Sequence, residues 1–172
     1  MDEVEFDEFY SASYHRVCRQ VYAMIGNVDE AQECTQEAFA KAWAHRRTLD
    51  KTNYPEAWVR TVAYRMAVSR WRKVQRSWRQ PDRAMSPDLV ASAPNEAPVV
   101  VVAALKQLPE AQRRVIVMHH LADLSVREIA AELKVPEGTV KARLSRGRAA
   151  LKAVLEDHTG QGFGLGLEGG AG

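Results

Sequence analysis

Two helices and a tight turn are predicted by the stretch Leu124-Ser-Val-Arg-Glu-Ile-Ala-Ala-Glu-Leu-Lys-Val-Pro-Glu-Gly-Thr-Val-Lys-Ala-Arg-Leu-Ser-Arg-Gly-Arg148. Ser125 and Glu128 have the Ser-x-x-Glu spacing of a capping box, in which each side chain bonds a backbone N–H at the start of a helix. Val135-Pro136 ends this first helix, because the residue before a proline is pushed out of the α region. A second helix then begins at Pro136 or Glu137, and its apolar face carries Val140, Leu144, Gly147 and Leu151.

The second helix of this pair carries charges of one sign only. No acidic residue stands between Gly138 and Lys152, and the faces away from the apolar stripe carry Lys141, Arg143, Arg146, Arg148 and Lys152. A helix in the major groove of DNA lies between two lines of phosphates, which repel carboxylates. The stretch therefore predicts a helix-turn-helix that reads duplex DNA. The alternative is an ordinary helical hairpin whose basic face is only solvated.

Charge is unevenly distributed along the chain. Its 172 residues are 46% hydrophobic, which suits one ordinary domain or two small ones, and its net charge is only +2. The charged residues between positions 2 and 8 are all acidic, whereas those between positions 60 and 79 are all basic, namely Arg60, Arg65, Arg70, Arg72, Lys73, Arg76 and Arg79. The small net charge thus hides two basic surfaces, which favour an anionic partner.

No part of the sequence suits insertion into a membrane or secretion. No apolar run approaches the about 20 residues that a membrane span requires, and the acidic N-terminus does not resemble a signal peptide. We therefore expect a cytoplasmic protein with no membrane insertion. Cys18 and Cys34 are too few and too far apart for a zinc site or a disulfide framework, and buried thiols are expected instead.

Helical periodicity predicts three helices in the N-terminal half. The first runs from Phe6 to Gly26-Asn27, the second is capped by Asp29 together with Gln32, and the third begins at Pro55. The polar stretch between the second and third helices, Arg46 to Asn53, is expected to be a loop. No strand pattern is present, so the predicted fold class is all-α.

The C-terminal half is predicted to form a second helical domain. Two helices, Val99–Leu108 and Pro109–Leu121, lead into the helix-turn-helix. Prolines among small polar residues prevent a continuous helix before them and predict a flexible linker. The chain is therefore divided into a domain at 1–79, a linker at 80–97, a domain at 98–158 and a disordered Gly-rich tail at 159–172.

The third helix combines aromatic rings with cations. Its basic residues are interleaved with Trp58, Tyr64, Trp71 and Trp78. Cations bind backbone phosphates while flat rings stack on unpaired bases, so this surface suits opened DNA. The alternative is that the rings belong to the core. For Trp58 and Trp71, which fall on the apolar stripe, core packing is favoured, and for Tyr64, Trp78 and the cations, contact with nucleic acid is favoured.

Four segments in order resemble one protein family. Asp29–Trp43, Pro55–Ser69, Leu108–Ile116 and Gly138–Arg146 are similar to motifs of the extracytoplasmic-function (ECF, group 4) sigma factors of the sigma-70 family. The resemblance covers about residues 5 to 157. It implies a dissociable specificity subunit of RNA polymerase, without enzymatic activity and without cofactor or metal, that directs initiation at promoters. The implied partners are core RNA polymerase, through its large-subunit clamp and flap, promoter DNA and an anti-sigma factor.

The resemblance also implies roles for individual residues. Polymerase binding falls to Gln36, Glu37 and Lys41. Recognition and melting of the minus-10 element, with a flipped base trapped by the loop Arg46 to Tyr54, fall to Arg46, Asn53, Trp58, Tyr64, Arg65, Arg72, Lys73 and Arg76. Recognition of the minus-35 element falls to Arg113, Thr139, Lys141, Ala142, Ser145 and Arg146. The linker is expected to enter the RNA exit path of the polymerase.

The chain departs from the family pattern at a few positions. Arg65 and Ser69 stand where relatives often have Asn and Asp, which predicts an unusual minus-10 preference. Ala142 replaces a frequent Ser and offers only apolar contact, for example to a thymine methyl group. Glu33-Cys34 stands where Asp-Leu is common.

Other classes of protein explain the sequence less well. A conventional helix-turn-helix regulator accounts for residues 109–157 but gives the third helix no purpose. An enzyme is disfavoured because the adjacent His119 and His120 point about 100° apart on a helix, and no residue completes a metal site or a triad with them. An anti-sigma antagonist has little use for two basic surfaces.

Overall fold

The computed structural model describes residues 1–49, 54–77 and 99–162. These residues form helices and short turns without any strand, so the all-α prediction is confirmed for the part of the chain that is described. The helices are α1 (Glu3–Ile25), α2 (Val28–Ala44), α3 (Arg46–Leu49), α4 (Pro55–Ser77), α5 (Val99–Lys106), α6 (Glu110–His120), α7 (Val126–Leu133) and α8 (Glu137–Gly162). They divide into two compact units, an N-terminal unit Met1–Val99 and a C-terminal unit Val100–Gly172. The predicted linker at 80–97 lies outside the described residues.

The first helix begins three residues earlier than predicted. Asp2 and Glu5 form a capping box, in which Glu5 N donates to Asp2 Oδ1 at 2.9 Å and Asp2 N donates to Glu5 Oε2 at 2.7 Å. The helix ends at Gly26 as predicted, where a φ of 73° closes the last turn in the left-handed conformation that glycine adopts without strain. The acidic N-terminus is therefore the first turn of a helix.

The start of α2 and the segment that follows α2 differ from the prediction. Asn27, rather than Asp29 with Gln32, caps α2, since the Asn27 Oδ1 accepts a bond from Glu30 N at 2.9 Å. The stretch expected as a loop starts with a helical turn, α3, whose Leu49 is buried. Apolar Leu49 drives this turn because its side chain enters the core. Residues 50–53 lie outside the described part of the chain.

The core of the N-terminal unit lies between α1, α2 and α4. Small side chains of α2, including Ala31, Ala38 and Ala42, are fully buried and let the three helix axes approach closely. Valines of α1 and α4 fill the remaining space. At one edge an aromatic cluster links α1 to α2, with the Phe6 and Trp43 rings edge to face at 5.1 Å.

Both cysteines lie in this core as free thiols, as expected. Burial is the main cause that raises the pKa of Cys34 to about 12, and a hydrogen bond to Glu30 at 3.4 Å adds to the shift. Burial likewise raises the pKa of Cys18. Both side chains therefore pack as neutral, apolar groups at physiological pH.

The C-terminal unit contains the helix-turn-helix. Its core is built from α6, α7 and α8, with Ile129 and Val140 fully buried, and burial of each such side chain stabilises by roughly 1.5–3 kcal/mol. Ser125 and Glu128 form the predicted capping box at the start of α7. Two boundaries differ from prediction. The left-handed Lys134, with φ 55°, ends α7 before Val135-Pro136 does, and α8 continues to Gly162 although a disordered tail was expected from residue 159. Residues 163–172 are outside the described part.

Candidate nucleic-acid interface

One face of α8 is exposed and basic. Lys141, Ser145 and Arg146 are exposed, and Thr139 and Ala142 are half-buried beside them. The opposite face carries the buried Val140, Leu144 and Gly147 predicted from the sequence, because residues three and four apart share one side of a helix. All five predicted minus-35 residues of α8 thus lie away from the core.

Arg113 lies on the neighbouring helix α6, which packs against α8. Its side chain is half-buried, and Nη2 donates to the carbonyl oxygen of Leu108 at 3.3 Å. Part of its donor capacity is therefore used within the unit, at the turn that joins α5 to α6.

The two adjacent histidines contact other residues of the C-terminal unit. His119 Nδ1 lies 2.8 Å from the carbonyl oxygen of Leu124 and so ties the end of α6 to the residue before the α7 cap. His120 Nε2 lies 3.4 Å from Nε of Arg148. Burial, His119 and Arg148 all lower the pKa of His120, which is therefore neutral at physiological pH. Within the described residues no three His, Cys, Asp or Glu side chains are grouped as metal ligands would be.

The exposed cations of α4 lie on the opposite side of that helix from its buried residues. Trp58, Arg65 and Arg72 are spaced by seven residues, so they differ by only about 20° around the axis. Arg65, Arg72 and Lys73 are exposed, and Trp58 is half-buried against the core. Asn53, Trp78 and Arg79 lie outside the described residues, as do the side chains of Trp71 and Arg76.

Three residues that the sequence analysis assigned to the nucleic-acid surface have other surroundings. The Tyr64 ring is only 4% exposed, so the prediction that it stacks on a base is wrong. Arg60 is buried and turned towards α1. Arg70 contacts three carboxylates of α2, those of Glu30, Glu33 and Glu37, at 3.2, 3.1 and 2.6 Å. The common cause is position, since the buried arc of α4 extends from Val59 through Ala63 to Tyr64.

A cavity of about 450 Å³ lies beside the start of α4. It is lined by residues 44–49 and by Trp58, and its volume falls within the about 300–1,000 Å³ of small-ligand sites. Arg46 stacks over the Trp43 ring at 4.0 Å and donates to the Trp43 carbonyl oxygen at 2.9 Å. Arg46 and Trp58, predicted from distant parts of the sequence, are thus brought to one cavity.

The three residues predicted for polymerase binding occupy exposed or partly exposed positions of α2, and two of them contact side chains of α4. Gln36 and Lys41 are exposed, and Glu37 is 42% exposed. Lys41 Nζ lies 3.0 Å from Glu37 Oε1 and 3.2 Å from Met66 Sδ of α4. The hydrogen bond and charge of Lys41, followed by Arg70, hold the pKa of Glu37 below its usual range. This surface of α2 therefore carries fixed, ionised side chains.

The comparisons with known proteins match both units. Residues 9–77 match the family "Sigma-70 region 2", and residues 99–151 match "Sigma-70, region 4". These two regions define the class as sigma factors of the sigma-70 type.

Relatives give the finer assignment. The chain is 29% identical over 170 residues to the ECF RNA polymerase sigma factor SigW of Bacillus subtilis, covering 87% of each chain. It is 32% identical over 148 residues to SigL of Mycobacterium tuberculosis, covering 81% of this chain and 82% of that one. Among solved structures, RpoE of Bartonella quintana, in complex with the anti-sigma factor NepR, shares its fold with a TM-score of 0.73 at 23% identity, over 88% and 97% of the two chains. The chain belongs to the ECF RNA polymerase sigma factors.

The family and the helices each bear on what kind of protein this is. Members of this family are specificity subunits of RNA polymerase rather than enzymes. None of the helices over residues 1–49, 54–77 and 99–162 has the length and hydropathy needed to cross a bilayer.

Proposed function

We propose that this chain is a group 4 ECF sigma factor that acts in the cytoplasm, binds core RNA polymerase and recognises a minus-35 duplex together with a melted minus-10 element. The observation that carries the proposal is the presence of two exposed basic helix faces, on α4 and α8, in separate compact units. The C-terminal unit is suited to duplex DNA, and the N-terminal unit is suited to the opened strand. Each face alone offers only a few phosphate contacts, so promoter binding depends on both units being held on the polymerase.

In the C-terminal unit, α8 enters the major groove at the minus-35 element. Lys141, Ser145 and Arg146 contact bases and phosphates, and Ala142 contacts a thymine methyl group. Thr139 and Arg113 lie near the backbone. The exposed, carboxylate-free face of α8 between Gly138 and Lys152 supports this assignment.

In the N-terminal unit, the cavity beside α3 captures a flipped base of the minus-10 element. Trp58 forms one wall, and Arg46 lies close to the phosphate of the captured nucleotide. Arg65, Arg72 and Lys73, which are exposed, continue along α4 as the track for the opened strand. Arg76 and Asn53 are assigned to the same strand from the sequence alone. Tyr64 is not part of this surface, because its ring is buried.

Gln36, Glu37 and Lys41 of α2 dock on the clamp of the large polymerase subunit, and the C-terminal unit docks on the flap. An anti-sigma factor regulates the chain by covering these surfaces. The complex of the similar-folded RpoE with NepR supports a partner of this kind.

Run-off transcription with purified core polymerase and a promoter library tests the proposal. We expect the chain to direct initiation from a defined class of promoters, whereas the free chain binds the same DNA only with the about 10⁻⁴ to 10⁻⁶ M affinity of nonspecific contacts. Lys106→Met, an exposed charge outside these surfaces, is the control, and Arg146→Ala is expected to lower initiation by about tenfold or more, since one good base contact contributes about 1–3 kcal/mol. Specific promoter binding by the free chain without any association with the core would instead indicate a conventional helix-turn-helix regulator.

A further inference from the structure

Four polar side chains form a continuous chain of contacts between α1 and the first two turns of α4. Arg16 binds both oxygens of Glu56, with Nε to Oε1 at 2.8 Å and Nη2 to Oε2 at 2.5 Å. Arg60 Nη1 lies 4.0 Å from Glu56 Oε1 and donates to Gln20 Oε1 at 3.1 Å. Each helix contributes two residues four apart, so the two pairs face each other. We call this set the α1–α4 polar chain.

The inner end of the α1–α4 polar chain is buried. The Arg60 side chain is 4% exposed, Gln20 is 1% exposed, and the Gln20 amide Nε2 has no hydrogen-bond acceptor among the described residues. Burial of a guanidinium and of an unmatched amide donor is costly, and apolar side chains of similar size are often as stable or more stable in such places. Stability alone therefore does not account for these residues.

The position of the α1–α4 polar chain on α4 indicates what it controls. Glu56 and Arg60 each stand two residues from Trp58, which is about 200° around the helix and therefore on the opposite side. Trp58 is on the side that lines the cavity and continues into the basic face. A hydrogen bond or ion pair forms only over a narrow range of distance and angle, so these polar contacts restrict the rotation of α4 about its axis more than non-directional apolar contacts do. A rotation of about 20° moves a group at the helix surface, about 5–6 Å from the axis, by about 2 Å.

We infer that Gln20, Glu56 and Arg60, with Arg16 at the outer end, are positioning residues that set the rotation of α4 and thereby hold Trp58 at the base-capture cavity. They act on strand opening through Trp58 and touch no DNA themselves. This inference rests on the proposed function, because the cavity must receive a base for the position of Trp58 to matter.

A double apolar replacement, Gln20→Leu with Arg60→Met, separates positioning from folding. It removes both buried polar groups at similar volume, and Lys106→Met in α5 serves as the charge-matched control. Each protein is assembled with core polymerase and assayed for run-off transcription on a duplex promoter and on the same promoter with a pre-opened minus-10 region. Tryptophan fluorescence gives the melting temperature of the N-terminal unit, because all four tryptophans lie there.

We expect the double variant to keep its melting temperature and its affinity for core polymerase. Transcription from the duplex should fall by about tenfold or more, because misplacement of a binding group by 1–2 Å is sufficient for such losses. On the pre-opened template the loss should be much smaller, since the cost of opening is removed. The inference would be overturned if the double variant were as active as wild type on both templates, or if it lost the same fraction of activity on both.

A second variant protects the test against misfolding of the first. Glu56→Gln breaks the charged link at a side chain that is 27% exposed, so it perturbs the core little. Its duplex-to-opened activity ratio should change in the same direction, and an unchanged ratio would also count against positioning. Failure of the wild-type chain to initiate from any promoter would refute the proposed function itself, which is a separate outcome.

Discussion

Gly147 shows how a single residue sets the packing of the helix-turn-helix. A methyl group at this position would lie 2.9 Å from Cγ1 of Ile116 and 3.4 Å from Cβ of Gln112, both on α6. Ile116 is itself buried, so either its side chain or the packing of α8 on α6 must shift to admit a methyl group. Glycine is therefore required by the close approach of the two helices and not by backbone conformation.

Gly147→Ala is expected to destabilise the C-terminal unit. Overpacking costs about 1–3 kcal/mol, and the better helix propensity of alanine returns about 1 kcal/mol, so a net loss of about 1 kcal/mol is expected. For a domain of this size that lowers the melting temperature by about 4–8 °C. Since tryptophan and tyrosine occur only in the first 79 residues, the far-UV circular dichroism melt should shift while the tryptophan fluorescence melt stays in place.

Gly138→Ala is the matched control. Nothing lies within 4 Å of a methyl group there, so alanine gains its helix propensity without a clash and the unit should become slightly more stable. A stabilising effect of Gly147→Ala equal to that of Gly138→Ala would contradict the packing argument.

Residue roles on α4 were predicted only partly from sequence. Hydrophobic spacing placed Ala63 in the core, where it is fully buried, and left the cation Arg65 outside, because the helical period fixes these directions. It could not reveal that Arg60 is buried, since the contacts of this cation with Gln20 and Glu56 depend on how α1 and α4 pack. The i, i+4 spacing of Glu56 and Arg60 was the one available signal.

At the scale of elements, the start of α7 depends on the reciprocal bonds of Ser125 and Glu128. Glu128 Oε2 accepts from Ser125 N at 2.8 Å and from Ser125 Oγ at 2.7 Å, and Glu128 N donates to Ser125 Oγ at 3.2 Å. The side-chain and backbone hydrogen bonds from Ser125 lower the pKa of Glu128. The cap therefore links the stability of the helix-turn-helix to pH.

Ser125→Ala is expected to destabilise the C-terminal unit by about 1 kcal/mol at neutral pH, the usual value of an N-cap. Because the folded-state pKa of Glu128 is lowered, its stabilising bonds are present above the ordinary carboxyl range and are lost as pH falls through the lowered pKa. The difference in stability between wild type and Ser125→Ala should therefore become smaller at acidic pH. Circular dichroism melts across the acid range measure this.

Glu128→Gln is the control for the charge in this cap. Glutamine can still bond the Ser125 backbone but does not titrate, so the difference between Glu128→Gln and wild type should diminish in acid. If the difference in stability between Ser125→Ala and wild type were constant with pH, the hydrogen bonds of Ser125 would not depend on the ionised Glu128.

Helix boundaries were predictable where local chemistry decides them and not elsewhere. The Ser125 cap, Pro55 at the start of α4 and Gly26 at the end of α1 all act within one turn. Lys134 ends α7 in a left-handed conformation that its side chain does not favour, and Lys134 N and Val135 N both donate to the carbonyl oxygen of Ala130 there, a closure that the residue type does not signal. The helical turn α3 was likewise missed, because burial of Leu49 and not propensity forms it.

At the scale of the whole molecule, each unit has its own buried core. The N-terminal unit packs α1, α2 and α4 around alanines and valines, and the C-terminal unit packs α6, α7 and α8 around Ile129 and Val140. The proline-rich stretch at 80–97, with helical periodicity on either side of it, predicted this division from the sequence. Its purpose, in the proposed function, is to place two weak DNA contacts on one polymerase.

Cutting the chain tests this use of two units. Fragments 1–79 and 98–172 are each expected to unfold cooperatively and to remain helical, because neither core needs residues of the other. An equimolar mixture with core polymerase should transcribe about 10²- to 10⁴-fold less than the intact chain, since tethering is what supplies the effective concentration. Raising the concentration of fragment 98–172 should restore part of the activity. A mixture as active as the intact chain at equal concentration would mean that each unit binds its site tightly by itself, and the requirement for a covalent connection would then be wrong.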